Sequence, residues 1–177
     1  MIMPERLETE RLVLQRLRYE DASEIFYTYA SKIESTKFMT WPTHQSLRDT
    51  TDFLKYAVSS WRTKTDFSYS VRLKNSNRLI GSCGILNDQG KIQFGYVFGP
   101  LHWGQGYATE TCRKLVEELR KVPEVYRVNT FVDTENIASV KVLRKSGLEE
   151  EAILLKWFRF VNQGNEPKDC ILFKLPL

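Results

Sequence analysis

The chain has 177 residues, of which 42% are hydrophobic and 27% are charged, and its formal net charge is +4 at pH 7. This length suits one domain with a sizeable core, and we expect residues 1–177 to form a single domain. The mild positive charge comes with 22 acidic residues and no long basic run, which disfavours a nucleic-acid-binding domain. No segment has the apolar length of a signal peptide or a membrane span, so we expect a cytoplasmic protein.

Cysteines and histidines are few and scattered. Cys83, Cys112 and Cys170 form no CxxC pair, and each lies in an apolar stretch, which predicts buried free thiols. His44 and His102 lie far apart and have no ligand-like pattern of neighbours, so no metal is expected.

The first half of the chain predicts one strand, two helices and then an antiparallel meander. Apolar residues predict the strand near residues 12–17, and helical spacing predicts a helix over residues 21–33 that ends with Ile33 on its apolar face. A second helix begins at Ser46, whose hydroxyl is a good N-cap. Its apolar face contains Leu47, Leu54, Val58 and Trp61. Three segments joined by polar turns make up the meander: residues 69–73, 79–86 and 92–98.

The second half alternates helices and strands. Its predicted elements are a helix over 108–121, a strand over 126–132, a helix over 136–146 that ends at Gly147, and a hairpin of strands 154–160 and 170–175. The complete order is β-α-α-β-β-β-α-β-α-β-β. This order predicts an α/β domain with a mixed, mostly antiparallel central sheet flanked by helices.

A glycine-containing turn connects the last strand of the meander to the following helix. Residues 103–110 are WGQGYATE. Glycines let the backbone curl tightly and let a ligand approach it, and the unpaired N–H groups of a helix start attract a phosphate. A plain strand-to-helix turn is the alternative. A Rossmann site is disfavoured because a third glycine is missing and the preceding strands are antiparallel.

A second polar helix start follows about thirty residues later, directly after a strand. Residues 136–148 are NIASVKVLRKSGL. Asn136 is a good N-cap, and Ser139 lies one turn further along the same side. Each residue alone more often has a structural role. However, both lie at a helix start that directly follows a strand, as the glycine turn does, and this favours a role in ligand binding.

Together and in this order, these segments resemble the GNAT N-acetyltransferase superfamily, most closely the branch that contains the ribosomal-protein N-terminal acetyltransferases. The resemblance covers nearly the whole chain, including ETERLVLQRL at residues 8–17 and GYVF at residues 95–98. It implies a single GNAT-like domain, acetyl-CoA as cosubstrate and direct transfer of an acetyl group to a primary amine.

The resemblance also implies the site residues. It assigns the diphosphate of acetyl-CoA to the backbone amides of the glycine turn. It assigns the pantetheine arm to the backbone of two strand residues, which also polarises the thioester carbonyl, and to Asn136. It places Ser139 near the sulfur, and Ser139 is the candidate catalytic residue, able to relay a proton or donate a hydrogen bond to that atom. The implied cofactor-binding residues of the turn and strand are Val97, Phe98, Trp103, Gly104, Gln105, Gly106, Tyr107, Ala108 and Thr109.

The catalytic base is left open by the sequence. Gln93 replaces the glutamate that often precedes the Gly-Tyr pair, and Leu143 replaces the tyrosine that serves many relatives as a general acid. Four residues remain possible bases, although a solvated surface role is favoured for each: Glu110, Asp133, Glu135 and His102. A site without the usual glutamate favours an acceptor of low pKa, such as a protein α-amine.

The acceptor and the assembly are also left open. A protein N-terminus, a polyamine, an amino sugar and an antibiotic are all compatible with the sequence, as are a monomer and a homodimer. Trp41 is the best candidate for a wall of the acceptor groove. The alternative function is a catalytically silent acyl-CoA-binding module or sensor, which Gln93 and Leu143 make conceivable.

Overall fold

A computed structural model describes residues 3–177, and its central feature is one eight-stranded sheet. The strands are β1 (Arg6–Glu8), β2 (Leu12–Arg16), β3 (Asp66–Leu73), β4 (Leu79–Asp88), β5 (Lys91–Phe98), β6 (Arg127–Asp133), β7 (Glu149–Arg159) and β8 (Pro167–Lys174). The helices are α1 (Ala22–Ile25), α2 (Ile33–Thr36), α3 (Leu47–Thr63), α4 (Tyr107–Leu119) and α5 (Ile137–Lys145). Short 3₁₀ turns occur at Tyr19–Asp21, Pro100–His102 and Val161–Gln163.

The strand order is β1-β2-β3-β4-β5-β6-β8-β7. Among these strands β5 and β6 pair in parallel, and the other neighbours pair antiparallel. The predicted mixed, mostly antiparallel sheet with flanking helices is therefore confirmed. The meander and the closing hairpin are confirmed with it, and Gly147 follows α5 with a φ of +87°.

The prediction of one continuous helix over residues 21–33 is wrong. The α1 helix passes into a π-helical turn at Phe26–Ala30, where the amide of Ser31 donates to the carbonyl of Phe26 at 3.2 Å. A bond to the fifth preceding residue widens the helix and shifts the later side chains around its axis. Ile33 consequently begins a separate short helix and is 54% exposed instead of facing the core.

Other differences lie at the ends of elements and at the sheet edges. The β1 strand is absent from the predicted order, and it buries one side chain, that of Leu7. The α3 helix begins after Ser46 as predicted, with the carboxylate of Asp49 accepting the Ser46 amide at 2.9 Å, but Leu47 is exposed. The edge strand β7 starts at Glu149, five residues earlier than predicted.

Two apolar clusters lie on opposite faces of the sheet. On one face Leu115 of α4 and Leu143 of α5 belong to a cluster with Phe94 and Phe98 of β5. On the other face Ile25, Leu54 and Leu79 pack together, and the side chain of Val97 joins them. Successive β5 residues therefore point to opposite faces, as strand geometry requires. The backbone N–H and C=O groups of β5 alternate in the same way between its two neighbouring strands, and this decides which of them face the candidate site.

The three cysteines are buried and free, as predicted. No helix within residues 3–177 combines the length and apolarity that a bilayer crossing requires. Over the same residues, no cluster of three or more His, Cys, Asp or Glu side chains is arranged to hold a metal ion.

Candidate active site

A gap opens between the two central strands β5 and β6. Their parallel pairing runs from Lys91 and Arg127 to Gln93 and Asn129 and goes no further, although β5 continues to Phe98. Backbone groups beyond the last pair have no neighbouring strand to bond. The gap therefore presents unpaired strand backbone between two layers of packed side chains.

The register with β4 identifies the residues whose backbone faces this gap. The amide of Gly99 bonds the carbonyl of Ile80 at 2.9 Å, and the pairing continues regularly through Val97 opposite Ser82. Hydrogen-bonded and non-bonded pairs alternate in an antiparallel ladder, so the backbone groups of Val97 point to β4. Those of Tyr96 and Phe98 point to the gap. The sequence-based assignment of Val97 as a backbone ligand does not fit this alternation, whereas that of Phe98 does.

The carbonyl of Phe98 is held by two side chains from different elements. The indole Nε1 of Trp103 donates to it at 2.9 Å, and the hydroxyl of Ser35 donates at 3.0 Å. Both lone pairs of this oxygen are thereby used. Of the two polar backbone groups of Phe98, the N–H therefore remains available to a ligand in the gap.

The glycine turn has the shape of an anion cradle. Gly104 and Gly106 have φ values of +73° and +82°, which side-chain-bearing residues rarely adopt, and both are exposed. A Cβ built at Gly104 would meet no atom within 4 Å. The first amide of α4 to find an intrahelical partner is that of Glu110, which bonds the Gly106 carbonyl at 3.0 Å. The preceding N–H groups of residues 107–109 therefore remain for a ligand, and this arrangement fits a diphosphate.

The start of α5 combines a structural cap with a polar side chain. Asn136 caps the helix, since its Oδ1 accepts the amide of Ser139 at 3.2 Å. Its amide nitrogen is not used by this bond. The hydroxyl of Tyr96 lies 3.5 Å from the Ser139 carbonyl, and burial raises the pKa of that phenol. Leu143 is buried in the core and supplies no acid.

The candidate bases are mostly engaged by protein partners. Glu110 accepts hydrogen bonds from the hydroxyl of Thr9 at 2.5 Å and from Arg11 Nε at 2.7 Å. Burial alone would raise the pKa of Glu110, but these bonds and the Arg11 charge lower it below its ordinary value of 4.5. Glu110 is thus a structural ion-pair partner.

The other two candidate carboxylates, Asp133 and Glu135, are similarly engaged. Asp133 is 1% exposed, and its carboxylate accepts the amide of Glu135 at 2.8 Å and Nε2 of Gln163 at 3.0 Å. Glu135 pairs with Lys168 at 3.1 Å at the surface. For His102, burial lowers the imidazole pKa below 6.5, and the charge of Arg78 lowers it further.

Two open clefts lie beside α2. One, of about 540 Å³, is lined by residues 31–34 and the loop around Thr43, and the other, of about 480 Å³, extends to Glu135 and Lys168. Glu135 lies two residues after the end of β6, so the second cleft lies at the end of the strand that borders the gap. The predicted groove residue Trp41 does not line either cleft. Its ring packs 6.5 Å from that of Tyr29.

Asn162 joins the two sides of these clefts. Its Nδ2 donates to the carbonyls of Thr36 and Trp41 at 2.7 and 2.9 Å. Its Oδ1 accepts the amide of Thr43 at 2.9 Å and the Thr43 hydroxyl at 3.2 Å. One side chain therefore ties the turn between β7 and β8 to the loop after α2.

The sequence patterns do not identify Arg11, Ser35 or Asn162 as contributors to the site. Each makes its contacts with residues more than sixty positions away. No local spacing signals such contacts. Arg11 lies within residues 8–17, the segment that resembles the family's opening strand. That resemblance predicted a strand there but gave no partner for the Arg11 side chain.

Comparison with known proteins agrees with this geometry. Residues 11–149 match the family described as the acetyltransferase (GNAT) domain. The uncharacterized N-acetyltransferase p20 of Bacillus licheniformis is 29% identical over 153 residues, which cover 85% of each chain. The match to the family, over residues 11–149, spans the gap, the glycine turn and the start of α5.

Solved structures share the fold at low identity. The microcin C7 self-immunity acetyltransferase MccE, solved in complex with acetyl-CoA and AMP, superposes with a TM-score of 0.88 at 18% identity and covers 99% of this chain and 98% of its own. A ribosomal-protein-S5-alanine acetyltransferase from Vibrio fischeri gives a TM-score of 0.82 at 18% identity, with 96% and 94% covered.

The predicted membership is thereby confirmed. The match covers well over half of the chain and includes both polar helix starts. This chain belongs to the GNAT acetyltransferase family and is an enzyme that transfers an acetyl group from acetyl-CoA to an amine.

Proposed function

We propose that the acceptor is a protein N-terminal α-amine and that the amides of residues 104–109 hold the diphosphate of acetyl-CoA. In this proposal the pantetheine arm runs along the gap beside Tyr96 and Phe98. The unused amide nitrogen of Asn136 bonds the arm, and Ser139 lies near the sulfur. The acceptor enters from the clefts beside α2.

The observation that carries the α-amine is that the candidate carboxylates are already engaged. Glu110 is saturated by Thr9 and Arg11, Asp133 is buried under two hydrogen bonds, and Glu135 pairs with Lys168. At the usual base position Gln93 carries a neutral amide, which is no base near pH 7. An acceptor that is already partly neutral suits such a site best.

Magnitudes support the same choice. An α-amine has a pKa of about 8, so deprotonation near pH 7.5 costs less than about 1 kcal/mol. A lysine side chain, with a pKa of about 10.4, costs roughly 4 kcal/mol under the same conditions. The candidate carboxylates are engaged, and His102, whose pKa lies below 6.5, is too weak a base to offset the larger cost.

The chain's contribution to the reaction is then mainly positioning and polarisation. The N–H of Phe98 faces the gap, where it can donate to the thioester oxygen as charge develops there. The departing thiolate needs little help, because a thiol pKa near 8.5 makes it a tolerable leaving group. The hydroxyl of Ser139 is suited to donate a hydrogen bond to the sulfur.

The test is a thiol-release assay with matched acceptors. One peptide carries a free α-amine and no lysine, and a second has the same sequence with an acetylated N-terminus and one lysine. We expect release of CoA with the first peptide and at least about tenfold less with the second at pH 7.5, as the difference in amine pKa requires. Preference for the lysine peptide, or for a polyamine or amino sugar in the same panel, would contradict the α-amine proposal.

The silent-module alternative makes a different prediction in this assay. Acetyl-CoA would then raise the melting temperature, since any ligand of the native state does so. No acceptor in the panel would release CoA. The engaged carboxylates do not favour this alternative, because direct attack by a neutral amine needs no base.

A further inference from the structure

One arginine contacts three successive parts of the glycine turn. Arg11, just before β2, donates from Nη1 to the carbonyl of Gln105 at 3.0 Å. Its Nε and Nη2 both lie 2.7 Å from Oε2 of Glu110. Its guanidinium carbon lies 4.6 Å from the ring centre of Tyr107. The turn thus rests on a side chain that lies more than ninety positions earlier in the sequence.

The carboxylate of Glu110 is fully engaged in this contact. Its Oε1 accepts the hydroxyl of Thr9 at 2.5 Å and the amide of Arg11 at 2.9 Å, while Oε2 faces the guanidinium. The Glu110 side chain is 17% exposed. A carboxylate in the first turn of α4 would otherwise repel a phosphate bound at the same helix end. Arg11 cancels that charge.

The bond to Gln105 also orients the peptide that follows it. In a planar trans peptide the C=O and N–H groups point in opposite directions. Because the Gln105 carbonyl points to Arg11, the N–H of Gly106 points away from Arg11, to the exposed side of the turn. Arg11 packs closely beneath it, since a Cβ built at Gly106 would lie 3.4 Å from Nη2.

We propose that Arg11 is a positioning residue for the cosubstrate: it holds the Gln105–Gly106 peptide with its N–H toward the diphosphate and neutralises Glu110. This role rests on the proposed placement of the diphosphate at residues 104–109. Arg11 acts from behind the turn and is not itself a ligand. Its loss therefore affects the recognition of the diphosphate and leaves the thioester end of the site unchanged.

The experiment compares two acetyl donors, acetyl-CoA and S-acetylpantetheine, which lacks the diphosphate. We expect Arg11→Gln to raise the Kd for CoA and the KM for acetyl-CoA about tenfold, the size of losing one charge-assisted hydrogen bond. The kcat at saturation, the KM for the acceptor and kcat/KM with S-acetylpantetheine should change less than about twofold on the same basis. Arg11→Lys keeps the positive charge but lacks the planar guanidinium, so its Kd for CoA should lie between those of the wild type and Arg11→Gln.

Two control variants separate positioning from anchoring of the chain. Thr9→Val removes a bond to Glu110 but leaves the contacts of Arg11 with Gln105 and Glu110 in place, and Arg6→Gln breaks the exposed pair with Glu8. Both should leave the Kd for CoA unchanged even where they lower the melting temperature. In the double variant Arg11→Gln/Glu110→Gln the repulsive charge is gone, so part of the affinity should return.

Two results would overturn the inference in distinguishable ways. If folded Arg11→Gln or Arg11→Lys loses activity equally with both donors, or binds CoA as the wild type does, Arg11 has no role in positioning the turn. If the wild type itself uses S-acetylpantetheine as efficiently as acetyl-CoA, the placement of the diphosphate at residues 104–109 fails, and the role of Arg11 fails with it.

Discussion

The indole of Trp103 donates a hydrogen bond to the carbonyl of Phe98 at 2.9 Å. The hydroxyl of Ser35 bonds the same oxygen from α2. The glycine turn, the end of β5 and α2 therefore meet at one backbone atom. This junction keeps the end of β5 in place without a neighbouring strand on the side of β6.

We predict that Trp103→Phe weakens this junction without unfolding the protein. One of two bonds to the Phe98 carbonyl is lost while the aromatic surface is mostly retained, so the KM for acetyl-CoA should rise about threefold, as expected for a single net hydrogen bond. Steady-state kinetics measure this change. Trp157→Phe on the exposed edge strand is the matched control and should leave the KM unaltered. An identical KM in both variants would mean that the Trp103 bond does not support the site.

Gly104→Ala tests the cradle itself. At a φ of +73° an alanine costs about 1 kcal/mol of backbone strain, and its methyl group enters the open space of the turn. Gly164→Ala, at a φ of +72° with equally open surroundings, is the control. We expect similar losses of unfolding free energy in both. Calorimetry should show a Kd for CoA about tenfold weaker in Gly104→Ala alone. Equal affinities would argue against a ligand at this turn.

Much of the fold follows from local sequence patterns, and the elements that these patterns did not predict were missed for local reasons. Alternating residues of β3 to β5 and the helical stripe of α4 identify these elements without any tertiary information. The β1 strand escapes prediction because Leu7 is its one buried residue. The π turn at Phe26–Ala30 escapes because helical periodicity over one turn does not distinguish 3.6 residues from slightly more.

The site was predictable in outline but not in its supports. The residue types of Gly104 and Gly106 predict a tightly curled backbone, and both have a positive φ. Which β5 amides face the gap depends on the bond between Gly99 and Ile80, and no spacing in the sequence reveals it. The pairing of Arg11 with Glu110 joins residues 99 positions apart and depends on the whole topology of the sheet.

Asn162→Ala should impair the acceptor side selectively. The substitution removes the bonds to Thr36, Trp41 and Thr43 and frees the loop after α2. We expect the KM for the acceptor to rise about fivefold or more, with the Kd for CoA within about twofold. Asn87→Ala is the control, since Asn87 likewise bridges two backbone segments, at Lys64 and Gly90. A parallel loss of CoA affinity in Asn162→Ala would assign the residue to general stability.

The pH dependence of the rate should follow the acceptor. Hydrogen bonds hold the pKa of Glu110 below 4.5 despite its burial, and burial holds that of His102 below 6.5, so neither titrates near pH 8. We expect kcat/KM for an α-amine peptide to rise with pH and level off near the amine pKa of about 8. With a lysine acceptor the inflection should move to about 10. An inflection that stays constant across acceptors would reveal a base on the enzyme.

Asp66 offers a test of stability away from the site. Burial raises the pKa of its carboxyl above 3.8, and the hydrogen bonds from Ser68 and Tyr56 lower it by less. A raised native pKa adds stability below pH 3.8, and this contribution is lost as pH rises through the native pKa. Asp66→Asn cannot ionise, and its carbonyl oxygen can still accept the Ser68 hydroxyl, which bonds Asp66 at 2.6 Å. In urea unfolding, the free energy of unfolding of the variant should therefore rise relative to that of the wild type between pH 4 and 7. The CoA affinity should be unchanged. A constant difference across this range would mean that the buried carboxyl does not titrate with a raised pKa.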